Sequence, residues 1–196
     1  MVATLTPPTI SESYAGEKNL LLGCRNRLWE VAGYRQEQCD VEYDEHVPSI
    51  VPDTYIAICP AGWMRGPVHS GGGVFDFLYS VDVHCLRKIG NEARDRLRNT
   101  FALRLESINA EVEKVIMFLD FSYDLMQAVN ELIETETGST EGFVEPLRFS
   151  SVDSRPRVVS GDQAALSGND AFMVRTVRFD GASRITHRGQ EWEGLH

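Results

Sequence analysis

Lysine is scarce in this chain. Only Lys18, Lys88 and Lys114 carry an ammonium group, against sixteen arginines in 196 residues. With 29 acidic and 19 basic residues the net charge is −10. Such a chain is a poor match for a phosphate backbone, whose binding rests on lysine and arginine neutralising phosphates, so no sequence-specific nucleic-acid partner is expected. Arginine is the cation of forked, partly buried ion pairs, and it is enriched at protein interfaces where lysine is depleted. Genomic codon bias is the competing explanation of the same ratio.

Other absences narrow the function further. No apolar run approaches the roughly eighteen residues of a membrane span, so no membrane partner is expected. Met1–Ser13 has neither the positive n-region nor the apolar h-region of a secretory leader. Cys24, Cys39, Cys59 and Cys85 never stand two to four residues apart, so the short zinc spacing is missing. Free thiols in a reducing compartment are the simplest reading. The chain lacks the Gly-x4-Gly-Lys-Ser/Thr and Gly-x-Gly-x-x-Gly cradles for phosphates and dinucleotides. It also lacks the Gly-x-Ser-x-Gly elbow of esterases. Without that elbow, His69-Ser70-Gly71-Gly72-Gly73 reads as turn chemistry rather than an oxyanion loop. No cofactor and no enzymatic activity are expected.

What is present is an ordinary globular composition, 42% hydrophobic and 24% charged. A chain of this length buries about 70% of its unfolded surface and needs no disulfide or metal to fold. The pattern predicts a flexible N-terminal arm over 1–16, one α+β domain over 17–180 and a polar tail over 181–196. Leu20, Leu21, Cys24, Leu28 and Val31 recur at helical spacing up to Gly33. Residues 35–53 read as a long acidic loop. Thr54–Cys59 is a short β-rich run, and 60–73 reads as a long Gly- and Pro-rich turn. Phe75 to Cys85 alternates strictly, the mark of a strand with one buried face. Helical rhythm fills 97–133, with a break expected near Asp120-Phe121-Ser122 and Ser122 as the cap of the second piece. Residues 143–150 are an edge strand at best, because Pro146 cannot donate to a ladder. Ala171–Phe179 alternates as the last strand. The order α-β-β-α-β-β implies a mixed or antiparallel sheet of about four strands, with helices packed on one face.

Two groups of residues invite a functional reading. Asp76, Asp82 and His84 share one face of the long strand, the arrangement that a metal-dependent enzyme would use; a face meeting water or a partner has the same alternation. Trp63, Met64 and Arg65 sit in the Gly/Pro-rich connection and are residue types of interfaces. The acidic positions Glu111, Glu113, Glu131, Glu134 and Glu136 read as solvated helix faces.

The order of elements carries a resemblance. A first helix is followed by Pro48, Pro52 and Tyr55-Ile56-Ala57-Ile58, a Gly-rich connection and the strand FDFLYSVDVHCLRK (75–88). The helix LMQAVNELI (125–133) and the strand FMVRTVRF (172–179) come next. This resembles the tail-terminator and neck proteins of long-tailed bacteriophages, the lambda-type terminators and their relatives, over about residues 17–180. The resemblance implies a ring-forming structural subunit, usually a hexamer, at the head–tail junction of the virion, built in the host cytoplasm. Its partners would be copies of itself, the tail tube protein and the head-connector proteins. The subunit interface would draw on Trp63, Met64 and Arg65, with Arg175 and Arg178 of the last strand. The acidic loop and the tail are longer than a minimal terminator needs. A small adaptor or regulatory module binding through the same hairpin is the rival reading.

Overall fold

The computed structural model describes residues 10–42, 53–69, 74–89, 97–138, 143–160 and 171–186. Helix α1 (Ile10–Glu30) buries Leu20, Leu21, Cys24 and Leu28 completely. It begins earlier than the predicted Glu17, inside the segment read as an arm. It ends before Val31, which is 47% exposed rather than part of the apolar stripe. Gly33 takes the left-handed φ of 76° that closes the helix, and Tyr34 N–H donates to Leu28 O at 3.1 Å.

The expected 35–53 loop contains structure. A single 3-10 turn (Gln36–Gln38) leads into β1 (Cys39–Val41), which pairs parallel with β2 in the register Cys39↔Ile56. Trp29 Nε1 fastens this strand to α1 by donating to Cys39 O at 2.8 Å. Residues 43–52, with Pro48 and Pro52, lie outside the described residues.

The expected turn over 60–73 is mostly strand. β2 (Thr54–His69) and β3 (Val74–Ile89) form one antiparallel hairpin from Thr54↔Arg87 to His69↔Val74. Register shifts at Pro60/Gly62 and Arg65/Val68 absorb the residues that read as turn formers. Gly62 takes a φ of 112°, closed to other residues. Proline is tolerated because β2 is an edge strand past Ile58 among the described residues.

Helices α2 (Leu97–Leu119) and α3 (Tyr123–Thr137) break at the expected place. Ser122 Oγ accepts from Leu125 N at 3.4 Å, and Gly138, at φ 66°, donates to Glu134 O at 2.8 Å. After α3, β4 (Arg148–Val152) and β5 (Arg157–Ser160) pair in succession with β6 (Ala171–Thr186). They amount to one edge strand interrupted at 153–156. β6 runs on through residues 181–186, read from sequence as tail.

The fold is thus α+β with a mixed sheet, as expected, but the described residues form six strands and three α-helices rather than about four strands in the order α-β-β-α-β-β. The strands lie in the order β1-β2-β3-β6-β4, with β5 also beside β6. One face of the sheet (Ile56, Ile58, Tyr79, Val81, Val83, Cys85, Val177, Phe179) shares a core with α1, α2 and α3. On the other face Tyr55, Ala57, Leu86, Phe172 and Val174 form a smaller cluster. Polar residues continue that second face.

Candidate functional site

The polar part of the second face is a ladder across β2, β3 and β6. Register places Cys59 beside Asp82 and Asp82 beside Arg178; it places Ala57 beside His84 and His84 beside Thr176. The alternation legible in β3 therefore recurs in β6, and cross-strand neighbours are chemical partners. Arg178 Nε and Nη2 donate to the two carboxylate oxygens of Asp82 at 2.8 and 2.7 Å. This fork raises the Arg178 pKa, through the hydrogen bonds and then through the charge of Asp82. His84 Nδ1 lies 2.9 Å from Thr176 Oγ1, and Ser80 Oγ donates to Asp180 Oδ1 at 2.8 Å.

The interruption between β4 and β5 builds the outer wall. Asp153 N donates to Thr176 O at 2.9 Å, and Asp153 Oδ2 accepts from Thr176 N at 3.3 Å. That double contact holds the 153–156 segment against β6. Arg157 Nη2 then reaches Thr176 Oγ1 at 3.1 Å, with its Nε 3.8 Å from Asp153. Between the wall and the ladder lies an open groove of about 690 Å³, bordered by Cys59, Asp82, His84, Ser151, Arg155 and Arg178 among others. Arg155 is exposed and has no ion pair among the described residues.

Both oxygens of Asp82 accept from Arg178. Asp76 faces Arg184 across the β3–β6 ladder, and its side chain lies outside the described residues. Among the described residues no group of three His, Cys, Asp or Glu side chains stands close enough to hold a metal. The buried thiols are poor nucleophiles: burial pushes Cys24 and Cys39 up to about 12 and raises Cys85 as well.

The residues expected at an interface are dispersed. Met64 lies on the hairpin and is 62% exposed. Trp63 and Arg65 flank it in β2, opposite Tyr79 and Phe77; their side chains lie outside the described residues. Arg175 points to the helix face, where it donates to Asn109 Oδ1 and, from Nη2, to Asp153 O at 2.7 Å. Arg178 alone of the five belongs to the groove. Sequence reasoning passed over Arg155 and Arg157, since Ser154-Arg155-Pro156-Arg157 sits in a stretch that reads as loop. Two arginines around a proline were the available signal.

No protein-family model matches the chain, and no curated protein matches it.

Proposed function

We propose that this protein is a structural subunit of the bacteriophage head–tail junction. It forms a ring, a hexamer by the resemblance, that terminates or completes the tail tube and joins it to the head connector. It works by assembly and not by catalysis, needs no cofactor, and resides in the virion neck after assembly in the host cytoplasm. The supporting observation is the β2–β3 hairpin. Its strands of 16 residues each are about 50 Å long at roughly 3.3 Å per residue. On β2 the described buried positions stop at Ile58, and the chain then becomes exposed through Gly62 and Met64. Past the short β1, the outer edge of β2 has no strand neighbour among the described residues. Such an edge is a template for another chain. Its bulges and prolines disfavour indiscriminate pairing while leaving the side chains to choose a partner.

Light scattering after size exclusion, with negative-stain images of large species, tests the reading. A closed ring growing in with concentration is the expected result. A monomer or dimer at every concentration favours an adaptor module instead. Within a ring, Arg65→Glu should weaken assembly and leave the subunit folded; unchanged assembly would remove the hairpin from the interface.

A further inference from the structure

Charge is divided unequally over the molecule. Residues 97–137, which hold α2 and α3, contain eight carboxylates against three cations. Residues 148–157, which hold β4 and the wall of the groove, contain three arginines against one aspartate. The helices share a core with one face of the sheet, and the groove opens on the other. Arg148 stacks over Phe121 beside the helices, 5.6 Å from its ring centroid, so the arginines on the groove side are Arg155 and Arg157, opposite in sign to the helices and on the other face of the sheet. A ring of identical subunits needs such a heterologous pair, because each copy must offer one surface to the copy ahead and another to the copy behind.

Each side also offers a pair of neighbouring exposed charges. Glu131 and Glu134 are both exposed on α3, three residues apart, which separates such side chains by about 5–6 Å. Arg155 lies in the bend that leads to β5 and Arg157 is the first residue of that strand, two residues further on. Glu134 has no ion pair among the described residues, and the Glu131 carboxylate accepts from Gln127 Nε2 at 3.0 Å with no cation beside it among them. Arg157 is tied through Nη2 to Thr176 and pairs through Nε with Asp153 at 3.8 Å, which orients the guanidinium and leaves Nη1 open among the described residues.

We infer that the groove is the receiving half of the subunit contact, with Arg155 and Arg157 binding Glu131 and Glu134 of α3 from a second copy of this chain. The inference rests on the ring reading. Its test compares four full-length chains by light scattering and sedimentation over a wide concentration range: the wild type, Arg155→Glu/Arg157→Glu, Glu131→Arg/Glu134→Arg, and the chain with all four changes. All four positions are exposed, and circular dichroism checks that each variant folds. Each double reversal places like charges opposite one another and should weaken assembly by about a hundredfold or more. The fourfold variant, and an equimolar mixture of the two double variants, should recover it. A wild-type ring that survives the arginine reversal overturns the groove contact and leaves the ring standing. Loss of assembly without recovery in the fourfold variant overturns α3 as the donor. A wild type that stays monomeric throughout overturns the ring, and this contact with it.

Discussion

Among the described residues Arg178 and Asp82 form the shortest ion pair, and its worth is set by exposure. The Arg178 side chain is 47% exposed and that of Asp82 16%, so solvent screens the pair despite its forked geometry. Arg178→Ala is expected to cost about 0.5–1 kcal/mol, the upper part of the cross-strand range. Urea unfolding measures this, and the difference should shrink in 1 M salt. The buried thiols make a prediction of the opposite kind. Cys24 and Cys39 have folded pKa values of about 12, raised from 9.0, chiefly by desolvation. Well below pH 9 both states hold these protons and the two thiols add no pH dependence. Between pH 9 and about 12 the unfolded chain loses protons that the folded chain keeps, so stability falls as pH rises. The slope is about 1.4 kcal/mol per pH unit for each fully discriminating thiol. Unfolding at pH 8, 9 and 10 in the Cys24→Ala variant should give a shallower fall than in the wild type.

The contact between α1 and α3 depends on one small residue. A methyl built on Gly23 would run into Val129 Cγ2 and stand 3.1 Å from Leu125 Cδ1. Alanine at this position gains about 1 kcal/mol of helix propensity, but overpacking a filled core costs about 1–3 kcal/mol. Gly23→Ala should therefore destabilise in urea unfolding, and Val129→Ala in the same chain should recover part of the loss, a coupling that a double-mutant cycle isolates. Residue periodicity does not reveal this. Gly23 lies beside buried Leu20, Leu21 and Cys24 on α1, and only packing shows that α3 comes so close there. The break between α2 and α3 was legible, since Ser122 is a local signal whose geometry is decided within one turn of helix.

At the scale of the molecule the hairpin and the core should behave differently. Amides of β3 and β6 lie inside the sheet, while the outward amides of β2 past Ile58 have no strand neighbour among the described residues. Hydrogen exchange of the free subunit should be slow over Tyr79–Leu86 and Phe172–Phe179 and fast along the distal part of β2. Assembly should slow exchange in β2. Unchanged exchange there in an assembled ring would mean that the hairpin reaches no neighbour.

The local pattern was sufficient for the α+β class, the helix stripes, the cap at Ser122 and the alternation of β3 and β6, because each is decided by side chains a few residues apart. It was misleading for β2. Pro60, Gly62, Gly66 and Pro67 are turn residues by local preference, yet pairing with β3 and an open outer edge let them lie in a strand. It missed β1, which read as part of a loop, because that strand is three residues long and held by a parallel partner seventeen residues further along the chain. It was silent about the groove. Asp82 and Arg178 are 96 residues apart, and Arg155 and Arg157 reach them only because the chain from α3 returns along the far edge of β6. Composition and periodicity determined which residues would be buried and which polar. Only the tertiary structure decided which polar residues would meet, because that depends on strand order and register, which are set by contacts distant in sequence.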